Sequence, residues 1–135
     1  MSRFLEPNRS GSHVLVADDD YFVQRCSVAL LRQLGHDGVV VGDGQQAIDC
    51  LATRPFALML LDVSMPVLDG LATLAAVRRG EAMRRDGRRQ RIVMVTAHAE
   101  PGDIARLRAA GADGYIAKPI DPQRFRDEVQ RVLAT

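Results

Sequence analysis

The chain alternates short apolar runs with segments whose apolar residues recur at helical spacing. The runs occupy residues 13–17, 39–41, 57–61, 92–95 and 114–117, and each is followed by glycine or a polar residue. Continuous apolar runs of this length are typical of strands that are covered on both faces. Strand and helix alternate five times, which predicts a three-layer α/β sandwich with a parallel sheet and helices on both faces.

Start signals mark the helical segments between these strands. An aspartate before a helix can accept hydrogen bonds from the free N–H groups of the first turn. We expect such caps at Asp20, Asp43 and Asp121. The third helix should begin near Asp69, and Pro101 with Asp103 should start the fourth helix. Asp43 and Gln46, three residues apart, have the spacing of a capping box.

Two predictions concern which side chains face inward. In the third helix, the apolar residues Leu71, Leu74 and Val77 should face the core. Cys26 and Cys50 have no metal-binding spacing, so we expect them to be buried, reduced thiols.

Length and composition bound the class of protein. The 135 residues have 47% apolar content and a formal charge of +1, which predicts one soluble domain rather than a membrane span. Residues 1–12 show no periodicity and resemble a flexible leader, so the domain should comprise residues 13–135. Residues 1–13 are polar and show no signal-peptide pattern, and we expect a cytoplasmic protein without a membrane partner.

A basic segment lies before the fourth strand. Residues 78–91 hold seven arginines against Glu81 and Asp86. No aromatic residues are interleaved with these arginines, so a solvated helix end and loop is favoured over a nucleic-acid-binding patch.

Polar groups follow four of the predicted strands. These are Asp18-Asp19, Asp62, Thr96 and Lys118. In a parallel sheet the carboxyl ends of the strands meet at one edge, where ligands bind. Three close carboxylates repel one another unless a cation lies among them, and Mg²⁺ suits oxygen ligands of this kind. With a lysine opposite, the group predicts a site for a dianion such as a phosphoryl group.

Lys118 is the sole lysine in a chain that otherwise uses arginine as its basic residue. A compact ammonium at a strand end, directly before Pro119, therefore indicates a specific requirement rather than average usage.

These residues together resemble the response-regulator receiver domain of two-component signalling. The motifs are Asp18-Asp19, the stretch LDVSMPVLDG at 61–70, Thr96-Ala97, Tyr115 and Lys118-Pro119, and the resemblance covers about residues 13–134. It implies a flavodoxin-like receiver fold with strand order 2-1-3-4-5. It also implies a signalling domain that catalyses its own phosphorylation and slow dephosphorylation rather than an ordinary enzyme.

The resemblance assigns roles to the residues of the site. Asp62 would be the phosphoacceptor, with a histidine kinase or a histidine phosphotransfer protein as the donor. Asp19 would bind Mg²⁺ (or Mn²⁺) directly and Asp18 largely through water. Asp62 and the backbone carbonyl of Ser64 would complete the protein ligands.

The switch residues are also implied by the family. Thr96 would hydrogen-bond the phosphoryl oxygen and Lys118 would pair with it, while Tyr115 would turn inward as Thr96 moves. The Lys118–Pro119 peptide would be cis. His98 and Ser64 occupy positions that influence dephosphorylation in the family, and we expect His98 to be exposed.

Several alternatives remain at this stage. A haloacid-dehalogenase-type phosphatase would need an acid where Ser64 stands, and an unphosphorylated interaction module would be expected to lack Asp62, Asp19 or Lys118. The domain could be a stand-alone regulator or part of a hybrid kinase. The downstream effector is unknown, and a phosphorylation-dependent dimer is left open.

Overall fold

The computed structural model describes residues 12–80 and 89–135, and within them five strands alternate with five helices. The predicted leader, except Ser12, and residues 81–88 of the basic segment lie outside the described residues. The strands are β1 (His13–Ala17), β2 (Asp37–Val41), β3 (Leu58–Asp62), β4 (Ile92–Thr96) and β5 (Gly114–Ala117). The helices are α1 (Tyr21–Gln33), α2 (Gly44–Leu51), α3 (Gly70–Arg78), α4 (Pro101–Ala109) and α5 (Pro122–Leu133).

The five strands form one parallel sheet in the order β2-β1-β3-β4-β5, as predicted. In the register, Ala17 lies beside Leu61, and Thr96 lies beside Ala117. The residues that follow β1, β3, β4 and β5 therefore emerge at the same edge of the sheet. This edge carries the polar groups that the sequence singled out.

Helices cover both faces of the sheet, because alternate side chains of each strand point to opposite faces. Leu15, Met59 and Leu61 pack on one face with residues of α2, α3 and α4. Val16 and Leu60 pack on the other face with residues of α1 and α5. Burial of each of these side chains contributes roughly 1.5–3 kcal/mol, so the continuous apolar runs account for the central sheet.

Aspartate caps begin four of the helices. The side chains of Asp20, Asp43, Asp69 and Asp121 each accept a hydrogen bond from the backbone N–H three residues later. In a capping box, the side chain three residues after the cap accepts from the N–H of the cap residue itself. Here the Gln46 side chain accepts from the N–H of Gly42 instead of from that of Asp43. The helix starts were therefore predictable, but one detail of the capping was not.

The prediction that Leu71 faces the core was wrong. Leu71 is 43% exposed, whereas Thr73, Leu74, Ala76 and Val77 are buried. The buried face of α3 is thus rotated relative to the predicted stripe. Leu71 borders an open groove toward α4 instead of entering the core.

Two smaller predictions also needed correction. Strand β2 begins at Asp37 rather than at residue 39, because the N–H of Asp37 pairs with the carbonyl of Ser12. Cys26 and Cys50 are free thiols as expected, but both are half-buried rather than buried. No helix in residues 12–80 and 89–135 is long and apolar enough to cross a bilayer.

Candidate functional site

Three aspartates meet at the carboxyl edge of the sheet. Asp18 and Asp19 follow β1, and Asp62 is the last residue of β3. One carboxylate oxygen from each lies within 4.8 Å of the others. Asp18 and Asp62 are only 2% and 4% exposed, whereas Asp19 is exposed to solvent. The predicted acidic cluster is therefore formed by the fold.

Local hydrogen bonds orient two of these aspartates. One carboxylate oxygen of Asp18 accepts from the N–H of Asp20 at 2.9 Å, and the Gln24 side chain donates to the Asp18 carbonyl at 2.5 Å. Asp62 Oδ1 accepts from the N–H of Ser64 at 3.3 Å. The loops after β1 and β3 thus fix both carboxylates before any ligand binds.

Lys118 faces two of the carboxylates, as predicted. Its Nζ lies 3.2 Å from Asp62 Oδ1 and 3.4 Å from Asp18 Oδ2. The N–H of Lys118 bonds the carbonyl of Thr96 at 2.8 Å, which ties the end of β5 to that of β4. The Lys118–Pro119 peptide is cis, as the family resemblance implied.

The electrostatics of the cluster favour an additional cation. Burial raises the pKa of Asp18, and the negative charge of Asp62 raises it further, against the lowering effects of the Asp20 N–H and Lys118. Burial alone would lower the pKa of Lys118, but the charges of Asp18 and Asp62 outweigh it and raise that pKa. Lys118 is therefore charged at neutral pH, and one ammonium balances only part of the carboxylate charge.

The donor set fits a small divalent ion. Asp18 Oδ2 is buried and accepts no hydrogen bond from residues 12–80 and 89–135, although it lies within ion-pair distance of Lys118. A buried acceptor without a hydrogen bond is costly unless another partner is available. Carboxylate oxygens this close together suit Mg²⁺, which takes oxygen ligands and retains several waters.

The predicted switch residues lie on β4 and β5, with Thr96 at the end of β4 and Tyr115 opposite Met94. Thr96 is buried, and its hydroxyl accepts from the N–H of His98 at 2.9 Å and donates to the His98 carbonyl at 3.1 Å. The side chain of His98 is exposed, as expected. Tyr115 is half-buried and packs against the core on the side of α2, α3 and α4. The Thr96 hydroxyl is thus engaged by its own loop in this conformation.

Sequence reasoning missed two residues that shape the site. Gln24 orients the loop after β1, and no sequence signal marks it. Gly70 packs directly on the backbone of Asp62, because a Cβ at position 70 would lie 2.0 Å from the Asp62 carbonyl oxygen. The Asp69-Gly70 pair was a visible turn signal from which this close approach could have been suspected.

Comparison with known proteins agrees with this geometry. The model of the response regulator receiver domain family matches residues 14–130. The receiver domain of a sensor histidine kinase from Pseudomonas aeruginosa superposes with a TM-score of 0.79 at 31% identity, covering 93% of this chain and 99% of that one. That crystal structure has a magnesium ion coordinated in its active site cleft.

Two sequence relatives represent different protein contexts. The chemotaxis protein CheY of Pseudomonas aeruginosa is 30% identical over 89% of this chain and 94% of its own length. Hybrid signal transduction histidine kinase I of Dictyostelium discoideum is 36% identical over 82% of this chain, which spans only 6% of that protein. The similarity to the kinase is therefore confined to one domain.

The chain belongs to the response regulator receiver domain family. It is a receiver domain of two-component signalling, the class of protein that accepts a phosphoryl group and relays the signal through a conformational change.

Proposed function

We propose that Asp62 is the phosphoacceptor of this receiver and that a phosphohistidine on a histidine kinase or histidine phosphotransfer protein is the donor. The observation that carries the proposal is the position of Asp62, a buried carboxylate 3.2 Å from Lys118 and within an acidic cluster. A haloacid-dehalogenase-type phosphatase is disfavoured because Ser64 stands where it would need its second acid. An unphosphorylated interaction module is disfavoured because Asp19, Asp62 and Lys118 are all present.

The transfer is an in-line displacement at phosphorus. An oxygen of the Asp62 carboxylate forms a bond to phosphorus as the bond from phosphorus to the donor imidazole nitrogen breaks. The imidazole leaves with that electron pair and takes up a proton, and Asp62 becomes an acyl phosphate. Hydrolysis of this acyl phosphate by water returns the carboxylate, which makes the domain a self-catalysing signalling element rather than an ordinary enzyme.

Asp18, Asp19, Asp62 and the carbonyl of Ser64 are the protein ligands that would hold Mg²⁺, or Mn²⁺ in its place. Either ion, when bound, neutralises charge on the transferring group. The buried oxygen of Asp18, which has Lys118 beside it but accepts no hydrogen bond from the described residues, and the exposure of Asp19 support this assignment. Removing a direct ligand with Asp19→Ala should weaken Mg²⁺ binding about tenfold or more in a calorimetric titration.

Lys118, Thr96 and Tyr115 carry the response. Lys118 pairs with the new phosphoryl oxygens, and the Thr96 hydroxyl exchanges its bonds to the His98 backbone for one to the phosphoryl group. Tyr115 then occupies the space behind Thr96. Hydrogen exchange with and without a phosphoryl mimic should change most in residues 96–120, and changes confined to residues 38–55 would reject this route.

The remaining parts of the proposal concern the protein's setting. Phosphorylation by a histidine kinase implies a cytoplasmic location and a protein effector that reads the changed surface. We expect no nucleic-acid contact by the domain itself. A dimer that forms only after phosphorylation would appear in sedimentation of the protein with and without a phosphoryl mimic.

The decisive experiment maps the phosphorylated residue. The protein is treated with acetyl phosphate and Mg²⁺, the acyl phosphate is reduced with borohydride, and the modified peptide is identified by mass spectrometry. We expect the label on Asp62 and its loss in Asp62→Asn. Asp20→Asn is the matched control, since asparagine caps a helix as well as aspartate does. Full labelling of Asp62→Asn, or an unlabelled wild type, would reject the assignment.

A further inference from the structure

The two edge strands of the sheet differ in how their outward backbone groups are satisfied. Strand β5 is covered by side chains of α5, because Glu128 accepts from the N–H of Tyr115 and Arg131 donates to the carbonyl of Asp113. Charged side chains placed over an edge in this way prevent further strands from adding to a sheet. The β5 edge is therefore partly closed to pairing.

Strand β2, at the other edge, has backbone groups that are free to pair. The N–H of Asp37 and the carbonyl of Val41 are bonded to residues that flank β1. Because successive residues of a strand alternate in direction, the N–H and C=O groups of Gly38 and Val40 point away from the sheet. Neither residue has a hydrogen bond to any other part of residues 12–80 and 89–135 at this edge. One more strand would find four unpaired backbone groups here.

The sequence of β2 does not protect this edge. Between His36 and Asp43 the chain has no lysine, arginine or proline, which are the residues that usually prevent edge pairing. The strand pairs with β1 in regular register over all five of its residues, so no bulge turns it away. Val40 is 39% exposed at the centre of the edge. The β2 edge therefore offers both free backbone groups and an apolar contact.

The surface around this edge is acidic. Residues 33–53, which include β2 and α2, contain three aspartates and no lysine or arginine, in a chain with 18 such basic residues. Burial lowers the pKa of His36, so this histidine adds no positive charge at neutral pH. Opposite charges on neighbouring strands favour their pairing, whereas like charges oppose it. A strand that adds here should therefore carry lysine or arginine.

A second copy of this chain fits the edge poorly. Two β2 strands would pair antiparallel about Val39, with Gly38 of each copy opposite Val40 of the other. Asp37 of one copy would then lie diagonally across from Asp43 of its partner, on the same face of the joined sheet. The repulsion between these aspartates favours a partner of opposite charge instead.

We propose that the β2 edge binds an extended segment of a partner protein, which adds a sixth strand to the sheet. The segment carries β-branched residues along the strand and lysine or arginine on its flanks. Its backbone pairs with the free groups of Gly38 and Val40, and one of its apolar side chains covers the Val40 side chain. The inference goes beyond the proposed function and does not depend on phosphorylation of Asp62.

The test selects peptides of about ten residues, enough for a usual strand, from a random phage-displayed library on the wild-type protein. The selected peptides are then titrated against three variants. Val40→Pro removes an N–H that points away from β1, so the bonds to β1 are kept. Val40→Lys keeps this N–H but adds a charge that repels a basic segment. Ala105→Lys adds the same charge at an exposed position on α4 and is the matched control.

We expect the selected peptides to alternate β-branched residues between basic flanks. They should bind Val40→Pro and Val40→Lys at least about tenfold more weakly than the wild type, whereas Ala105→Lys should stay within about twofold. Binding should weaken as the salt concentration rises. In NMR spectra, the amide proton signals of Gly38 and Val40 should move downfield in the complex, because each N–H gains a hydrogen bond.

Equal binding of the selected peptides to Val40→Lys and Ala105→Lys would overturn the proposal. A selection that yields acidic peptides, or no peptide that binds the wild type, would overturn it as well. Sedimentation that shows a wild-type dimer lost in Val40→Lys would assign the edge to a second copy and reject the basic partner. Thermal unfolding checks that each variant is folded, and Val40→Lys decides the outcome where Val40→Pro does not fold.

Discussion

The two ends of the sheet each hold a cluster of acidic and basic side chains, and the clusters are built differently. At the amino end, Asp113 accepts hydrogen bonds from Arg78, Arg89 and the N–H of Ile92. Arg78 also donates to the carbonyl of Gly111, so both oxygens of the Asp113 carboxylate and this carbonyl have donors, although the buried side-chain oxygen of the nearby Gln90 accepts no hydrogen bond within the described residues. At the carboxyl end, three carboxylates lie together and one lysine contacts two of them.

The difference indicates what each cluster is for. The arginines at the amino end join the end of α3 to the loop before β5, and planar guanidinium groups suit such fixed, multiple hydrogen bonds. At the carboxyl end, the buried Oδ2 of Asp18 lies 3.4 Å from the ammonium of Lys118 and accepts no hydrogen bond from the described residues. The carboxylate of Asp113 is fully hydrogen-bonded and stabilises the fold, whereas the carboxylates at the carboxyl end outnumber their one lysine and can bind a cation.

The largest expected effect is on Lys118. Lys118→Ala should slow phosphorylation of Asp62 by about a hundredfold, because it removes a charge that stabilises the transferring group. Lys118→Arg should keep the fold and Mg²⁺ binding but react more slowly than wild type and blunt the response of Tyr115. Phosphorylation rates of the two variants would measure the reaction, and the NMR signals of Tyr115 would measure the conformational response. Wild-type behaviour of Lys118→Arg would show that any cation suffices.

Arg78 lies in the cluster at the amino end, where we expect a substitution to change stability rather than phosphorylation. Arg78→Ala should lower the free energy of unfolding by about 2–3 kcal/mol, because it removes the hydrogen bonds of Arg78 to Asp113 and to the carbonyls of Gly111 and Gln90. Arg89→Ala, a change at a mostly exposed side chain, should cost no more than about 1 kcal/mol. Urea unfolding measures both variants. Acetyl phosphate labelling should be unaffected, and a large loss of labelling in folded Arg78→Ala would mean that the two ends are coupled.

Replacing Asp18 should stabilise the metal-free protein while weakening its binding of Mg²⁺. Burial and the charge of Asp62 raise the pKa of Asp18, so its ionised form costs stability at pH 7. Asp18→Asn should therefore raise the metal-free unfolding free energy by about 1 kcal/mol and reduce the further gain from added Mg²⁺. Thermal unfolding with and without Mg²⁺ tests this. A loss of metal-free stability would contradict the inference that the cluster is strained by its own charge.

The smallest effect concerns Glu128, which accepts from the N–H of Tyr115 and from Arg131. Burial alone would raise the pKa of Glu128, but these hydrogen bonds outweigh it and lower that pKa. Its stabilising contribution is therefore present above the unfolded-state pKa and lost as pH falls through the folded-state value. Glu128→Gln should cost less than about 1 kcal/mol at pH 7. The difference in unfolding free energy between Glu128→Gln and wild type should shrink as the pH falls through the folded-state pKa of Glu128. Urea unfolding at a series of pH values would measure this difference.

The amino-acid sequence determined the local elements and the chemistry of the site. Apolar runs predicted the strands, and those of β3 and β4 are fully buried, whereas the edge strand β2 has no buried residue. Aspartates predicted helix starts because they satisfy free N–H groups nearby. Asp18, Asp19, Asp62 and Lys118 could be singled out because they end such strands. The strand order came from the family resemblance and not from periodicity, since pairing between distant strands leaves no local pattern.

Only the tertiary structure decided how these elements meet. The exposure of Leu71 depends on the rotation of α3 against the sheet, which several neighbouring contacts set together. Val67, in the loop between β3 and α3, has a φ of 68°, which is disfavoured for a β-branched residue, and the carbonyl of the next residue accepts from Gly44 at the start of α2. The bond from Arg78 to Gly111 spans 33 residues. Such features depend on contacts between distant segments, and these exist only after the chain has folded.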